Sequence, residues 1–213
     1  MNAYLLRVEA WLRRWRLVMP LCNKCFFTVF CRGQPFKGYK LKLYGEPITY
    51  NAHPRFLGVT FDESLCFNEN WKIVRARCLK RLNILKIISH RSWGLNIGTI
   101  RSVFYCLIRS VFDFRFFAFG LMNDANTTSA QALQNNCIRA ILKDWNSGPI
   151  DLATKSGIAP VSTRVTEFGN RFIGRCLYYE NPLICPLIEE FQSLFGSRPV
   201  NKCMPLSHLK LTL

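Results

Sequence analysis

The hydrophobic positions beyond Asn68 fall on helical stripes. Trp71, Val74, Cys78, Leu82 and Leu85 lie within an arc of about 80° when plotted at about 100° per residue, a narrow face suited to burial. Lys72, Arg75, Arg77, Lys80, Arg81, Lys86 and Arg91 point outside that arc. A second helix is predicted from about Ile97 to Phe117, stacking Ile100, Val103, Phe104, Leu107, Val111 and Phe114. Ser102, Arg109 and Asp113 occupy its opposite face, with Arg109 and Asp113 spaced for an i, i+4 ion pair. A third helix starts at Thr127 or Thr128 as N-cap and runs to about Lys143. A fourth follows Pro160, with Val165, Phe168, Phe172, Cys176 and Tyr179 as its core stripe, until Asn181-Pro182 stops it. A short amphipathic piece, Leu183 to Phe195, then leads into a loosely ordered tail carrying Pro199 and Pro205.

The first sixty residues read differently. Residues 2 to 17 form a helix that gathers Val8, Trp11, Leu12 and Trp15 on one face and leaves Arg7, Arg13, Arg14 and Arg16 off it, with Pro20 as its end. Lys24 to Arg32 and Tyr39 to Tyr44 read as strands around a loop at Gly33, Pro35 and Gly38. Gly45-Glu46-Pro47 is a turn, after which Ile48 to Tyr50 starts a further strand. Phe56 to Phe61 is a short apolar run broken by Gly58, whose lack of a side chain permits a bend or a close backbone approach.

Composition adds a partner to this picture. In 213 residues, 49% hydrophobic and 14% aromatic side chains specify a folded chain, yet the formal net charge is +16. Such an excess repels itself until a polyanion offsets it, which favours nucleic acid first and an anionic membrane surface second. Residues 70 to 112 hold nine lysines and arginines (72, 75, 77, 80, 81, 86, 91, 101 and 109) and no aspartate or glutamate. Solvated helix faces usually mix signs to gain i, i+4 pairs, so one-signed charge over this length favours phosphate contact.

Other chemistry is thinner. The ten cysteines, several on apolar stripes, are expected to be buried reduced thiols in an intracellular protein, nuclear or cytoplasmic, rather than disulfides, since no segment reads as a signal peptide with an apolar core and small-residue cleavage site. Cys22 and Cys25 have a metal-ligand spacing, but only Cys31 lies near and His53, His90 and His208 are remote, so no metal site is expected. The segment Val103 to Met122 is apolar but contains Arg109, Asp113 and Arg115, which argues against a membrane span. Trp93, in a loop after His90-Arg91-Ser92, is expected to plug the top of a helix bundle; exposed, it would stack on a base.

Several segments, in order, carry a resemblance: Arg55-Phe56-Leu57-Gly58-Val59-Thr60-Phe61 through Asn68, Lys80-Arg81-Leu82-Asn83-Ile84-Leu85-Lys86, Ser92-Trp93-Gly94-Leu95, Leu107 to Phe114 and Leu133 to Ile141. Together they resemble the end of the palm and the thumb of reverse transcriptases from non-LTR, LINE-type (jockey-like) retrotransposons. The resemblance implies an α+β chain: residues 1–62 as a small antiparallel strand remnant of a polymerase palm, 63–182 as a mostly α-helical thumb-like bundle, and 183–213 as a short helix and tail. It implies that Phe56, Leu57 and Gly58 form a primer-grip turn and that Lys24 stands at the lysine of the family's motif D. Lys72, Arg75, Arg77, Lys80, Arg81, Lys86 and Arg91 would then hold the backbone of RNA, DNA or an RNA/DNA hybrid.

Catalysis is not expected of this chain. Two-metal nucleotidyl transfer needs carboxylates held side by side, in the family an Asp-Asp turn plus a distant Asp. The chain has no Asp-Asp, and before residue 60 its only acidic residues are Glu9 and Glu46. Magnesium is therefore expected only in a full-length polymerase with an upstream domain, not as a cofactor here. Two other readings stay open: a free-standing basic nucleic-acid-binding module derived from such an element, and an amphipathic protein of the membrane surface.

Overall fold

Among the described residues, short ladders and one helix build the first part of the chain, and helices build the rest. The computed structural model describes residues 1–19, 24–31, 33 and 38–189. The chain divides into two units, Met1–Leu65 and Cys66–Leu213. The last residues of the expected Leu183 to Phe195 piece, the tail after it, Cys22 and most of the loop around Pro35 lie outside the described residues, while Cys25 is described and half-buried.

Among the described residues of the first unit, α1 (Asn2–Arg14) is followed by six strands of two residues each: β1 (Phe26–Phe27), β2 (Lys42–Leu43), β3 (Glu46–Pro47), β4 (Thr49–Tyr50), β5 (Arg55–Phe56) and β6 (Val59–Thr60). They pair as three separate ladders. The two long strands expected at 24–32 and 39–44 are thus reduced to β1 and β2, and their partners come from within the chain. The pairing is not wholly antiparallel: β1 runs parallel to β4, with Phe26 opposite Thr49 and Phe27 opposite Tyr50. Phe27 and Tyr50 meet edge to face at 5.4 Å.

The other two ladders are hairpins, β2–β3 and β5–β6. Their turns fall at Tyr44-Gly45 and Leu57-Gly58, where all four residues have positive φ. Two-residue turns of this hand match the twist of antiparallel strands, and glycine enters the conformation without a Cβ penalty. Gly58 therefore makes a reversal rather than a bend in one strand, and Glu46–Pro47 is a strand where a turn was expected.

Helix α1 also faces another way than its hydropathy suggests. Leu12 and Glu9 are buried, Leu5 and Val8 half-buried, while Trp11 and Trp15 are 54% and 63% exposed. Polar anchors set this rotation. The Tyr44 N–H donates to the Glu9 carboxylate at 2.6 Å, and the Asn2 side chain donates to the Lys40 carbonyl while accepting from the Lys42 N–H.

In the second unit, α2 (Asn68–Ile88) buries Trp71, Val74, Cys78, Leu82 and Leu85, the stripe read from the sequence. It packs against α6 (Asp124–Leu142) and α3 (Ile97–Phe104). Trp71 meets Phe112 at 6.3 Å and Phe119 at 5.8 Å, edge to face, and those two rings lie 4.9 Å apart. Cys78 and Cys137 are fully buried, and burial pushes their thiols up to about 11 and about 12. No disulfide joins the described cysteines.

The second predicted helix is interrupted. After α3, Tyr105–Arg109 form a π-helical turn, then α4 (Ser110–Asp113) and α5 (Phe116–Leu121) follow with a break at Arg115. A π turn holds one extra residue, so each later stripe position moves on by one. Ile108, Phe112 and Arg115 are buried where Leu107, Val111 and Phe114 were expected to lead, although Val111 also stays inside; Phe114 is exposed. The same slip carries Arg109 from the expected polar face into the interior.

Helix α6 begins at Asp124 because Asn123 caps it, accepting from the Asn126 N–H at 2.8 Å, so the Thr127 or Thr128 cap is corrected by one turn. A helix the sequence reading missed, α7 (Pro149–Ser156), starts on Pro149 and stops at Gly157. Helix α8 (Val161–Tyr178) follows Pro160 but buries Val161, Gly169 and Ile173, leaving Phe172 and Tyr179 exposed. Gly169 has almost no hydropathy of its own, which hides the true stripe.

Candidate nucleic-acid interface

The cations of α2 divide by what each one touches. Arg75, Arg77 and Lys80 are exposed, and none pairs with a carboxylate among the described residues. Lys72 reaches Glu69 one turn earlier, at 2.5 Å. Such an exposed pair contributes little and leaves the lysine able to exchange partners. Lys86 lies 5.8 Å from the centre of the Trp145 ring, a loop residue the sequence reading did not single out. Arg81 is half-buried and donates to the Leu107 carbonyl, so it ties α2 to the π turn and is withdrawn from the exposed set.

Arg109 is corrected outright. It is 3% exposed, and its guanidinium donates to Asp113 at 3.2 Å, to the Gln134 side-chain oxygen and to the Ala159 carbonyl at 3.3 Å. Burial pulls its pKa below the ordinary value, while Asp113 opposes the shift. Arg164 reaches Asp113 from α8 at 3.6 Å, and Gln134 donates to Ala159 at 3.0 Å, so the network fastens α4, α6 and α8. Arg109 therefore holds the bundle together and offers nothing to a phosphate.

Beyond α2, Arg91 is exposed in a 3₁₀ turn, Arg91–Trp93, that His90 caps by accepting from the Ser92 N–H. Trp93 is 60% exposed, so it does not plug the bundle as expected. Isoleucines 73, 84 and 87 share the outward side of α2 with the cations, giving that face a mixed apolar and basic character.

The residues carried over from the primer grip form the tip of the β5–β6 hairpin in the first unit. Phe56 and Leu57 are exposed, and Leu57-Gly58 is the turn itself. Lys24 is exposed in the turn before β1 rather than within a strand. Among the described residues no group of three or more histidine, cysteine, aspartate or glutamate side chains is placed to hold a metal ion. Glu9 is committed to the Tyr44 N–H, and Glu63 accepts from the Tyr50 hydroxyl. No helix of the described residues is long and apolar enough to cross a membrane.

The second unit thus presents a helix whose outward cations mostly lack a carboxylate partner among the described residues, and the first presents an exposed hairpin tip of aromatic and apolar residues. Comparison with known proteins adds no relative: no protein-family model matches the chain, and no curated protein or solved structure is significantly similar to it.

Proposed function

We propose that residues 1–62 are the end of a reverse-transcriptase palm of the non-LTR retrotransposon type, that residues 63–182 are its thumb, and that the chain grips the backbone of an RNA, DNA or hybrid duplex. The observation that carries this reading is the outward face of α2, where Arg75, Arg77 and Lys80 are exposed and pair with no carboxylate among the described residues. Spaced along a helix of 21 residues, such cations gain most from a line of phosphates. A helix of that length spans about 30 Å, enough to follow several phosphates of a duplex. Backbone contacts position a protein without reading bases, so binding is indifferent to sequence.

The chain binds and does not polymerise. Duplexes of unrelated sequence should bind the purified protein with equal affinity, and primer extension should stay at background at every magnesium concentration. A strong sequence preference, or extension of the primer, would overturn the proposal.

A further inference from the structure

The first unit holds an open groove of about 380 Å³. Phe26, Phe30, Phe56 and Phe61 form most of its lining, together with Thr28, Pro54 and Arg55. Phe26 and Phe30 are 40% and 52% exposed, so aromatic residues that an ordinary core would cover are open to solvent. The volume lies in the range of small-ligand sites, about 300–1,000 Å³. We propose that this groove takes unpaired nucleobases of a single-stranded nucleic acid, stacked on its phenylalanine rings.

Shape, rigidity and charge argue for that guest. Phe30 stands edge to face against Phe61 at 6.3 Å, and Phe61 is tied back by its N–H to the Pro54 carbonyl at 2.9 Å. Thr28 donates to the Asn51 carbonyl at 2.6 Å, which fastens the other wall. The rings are therefore held in place by hydrogen-bonded backbone, and a flat heterocycle finds a prepared surface. The lining contains no carboxylate, while Arg55 is exposed and makes no ion pair with a described carboxylate. Lys24, two residues before Phe26, is exposed as well. Aromatic faces with a cationic border suit a base carrying its phosphate, whereas a neutral apolar peptide would leave the charge of Arg55 unanswered.

This inference rests on the nucleic-acid reading above and adds unpaired bases to it, apart from the duplex contact assigned to α2. The test uses the full chain and three labelled probes: a single strand, an abasic strand of the same length and a blunt duplex. Base stacking supports affinity by about tenfold per base, and the abasic strand keeps the phosphates while removing the stack. The single strand should therefore bind at least about tenfold tighter than the abasic strand. Phe30→Leu, which keeps apolar bulk but removes the ring, should erase that difference and leave duplex affinity unchanged; Phe30→Tyr should retain it.

Equal binding of the single and abasic strands by the unaltered chain, or a difference that survives Phe30→Leu, would overturn the proposal. Displacement of a neutral apolar peptide from the groove, without any base dependence, would also do so. If the base preference stands while changes on α2 leave duplex binding untouched, the duplex reading fails and the groove remains. Binding of no probe removes both.

Discussion

The two units are held by different means. Among the described residues of Met1–Leu65, only Leu12, Leu43 and Val59 are buried hydrophobics, and the strands are two residues long. Cohesion there comes from single polar anchors, such as Glu9 on the Tyr44 N–H, and from hairpin turns that need positive φ. The helical unit closes a continuous aromatic and aliphatic core around Trp71, Phe104, Phe112 and Phe119. Ladders this short bury little apolar surface, while a helix with a whole stripe buries much, so the helical unit carries most of the folding free energy.

The largest effect that tests this contrast is loss of core volume. Trp71→Ala, at a site enclosed by two rings, should cost about 3–5 kcal/mol, whereas Trp11→Ala on exposed α1 should stay within about 0.5 kcal/mol. Urea unfolding followed by circular dichroism reads both; comparable losses would erase the distinction between the units.

Arg109 comes next. Arg109→Ala leaves Asp113 with only Arg164 and leaves the Gln134 oxygen and one of the contacts to Ala159 without a donor. Breaking a buried pair from one side costs about 3 kcal/mol or more. A change below about 1 kcal/mol in the same experiment would mean that Arg109 is surface-like, as the unbroken helix had suggested.

Hydrogen exchange gives a residue-level version of the comparison. Amides of β1 to β6 should exchange faster than those in the middle of α2 and α6, since short ladders open with little loss of contact. Equal protection would show that the polar anchors of the first unit act together as a core does.

The buried thiols add a dependence on pH. The buried thiols of Cys78 and Cys137 titrate near 11 and near 12 in the fold, against 9.0 when unperturbed. Their folded values are raised, so their contribution to stability is complete below about pH 9 and is lost as pH rises from there towards 12. At pH 8 a thiol reagent should label exposed Cys106 well before either buried thiol. Early labelling of Cys137 would show that α2 and α6 part readily.

Legibility in the sequence followed the same divide. The stripe of α2 was readable because five apolar side chains recur without interruption, and the Pro160 start of α8 because proline ends one conformation and begins another. The π turn was not readable, since a one-residue slip leaves the composition unchanged; buried Arg109 and Arg115 are its only trace. In α1, two tryptophans outweighed Glu9 in any hydropathy count, while one hydrogen bond to Tyr44 decided which face turned inward. The cations from residue 72 to residue 109 were legible as a set, but only the fold separates exposed Arg75, Arg77 and Lys80 of α2 from half-buried Arg81 and from buried Arg109 in the π turn. The phenylalanine groove, assembled from residues 26 to 61, needed the parallel pairing of β1 with β4.

If the α2 face holds phosphates, the salt dependence of duplex binding depends on its cations. Each phosphate neutralised on B-form DNA contributes about 0.9 to the slope of log K against log salt. Replacing Arg75, Arg77, Lys80 and Lys86 by glutamine should flatten that slope by about 3 to 4, while the same exchange at Arg7, Arg13, Arg14 and Arg16 removes equal net charge and should leave it nearly unchanged. Equal slopes for the α2 variant and the unaltered chain, or an equal loss from both sets of changes, would contradict the account.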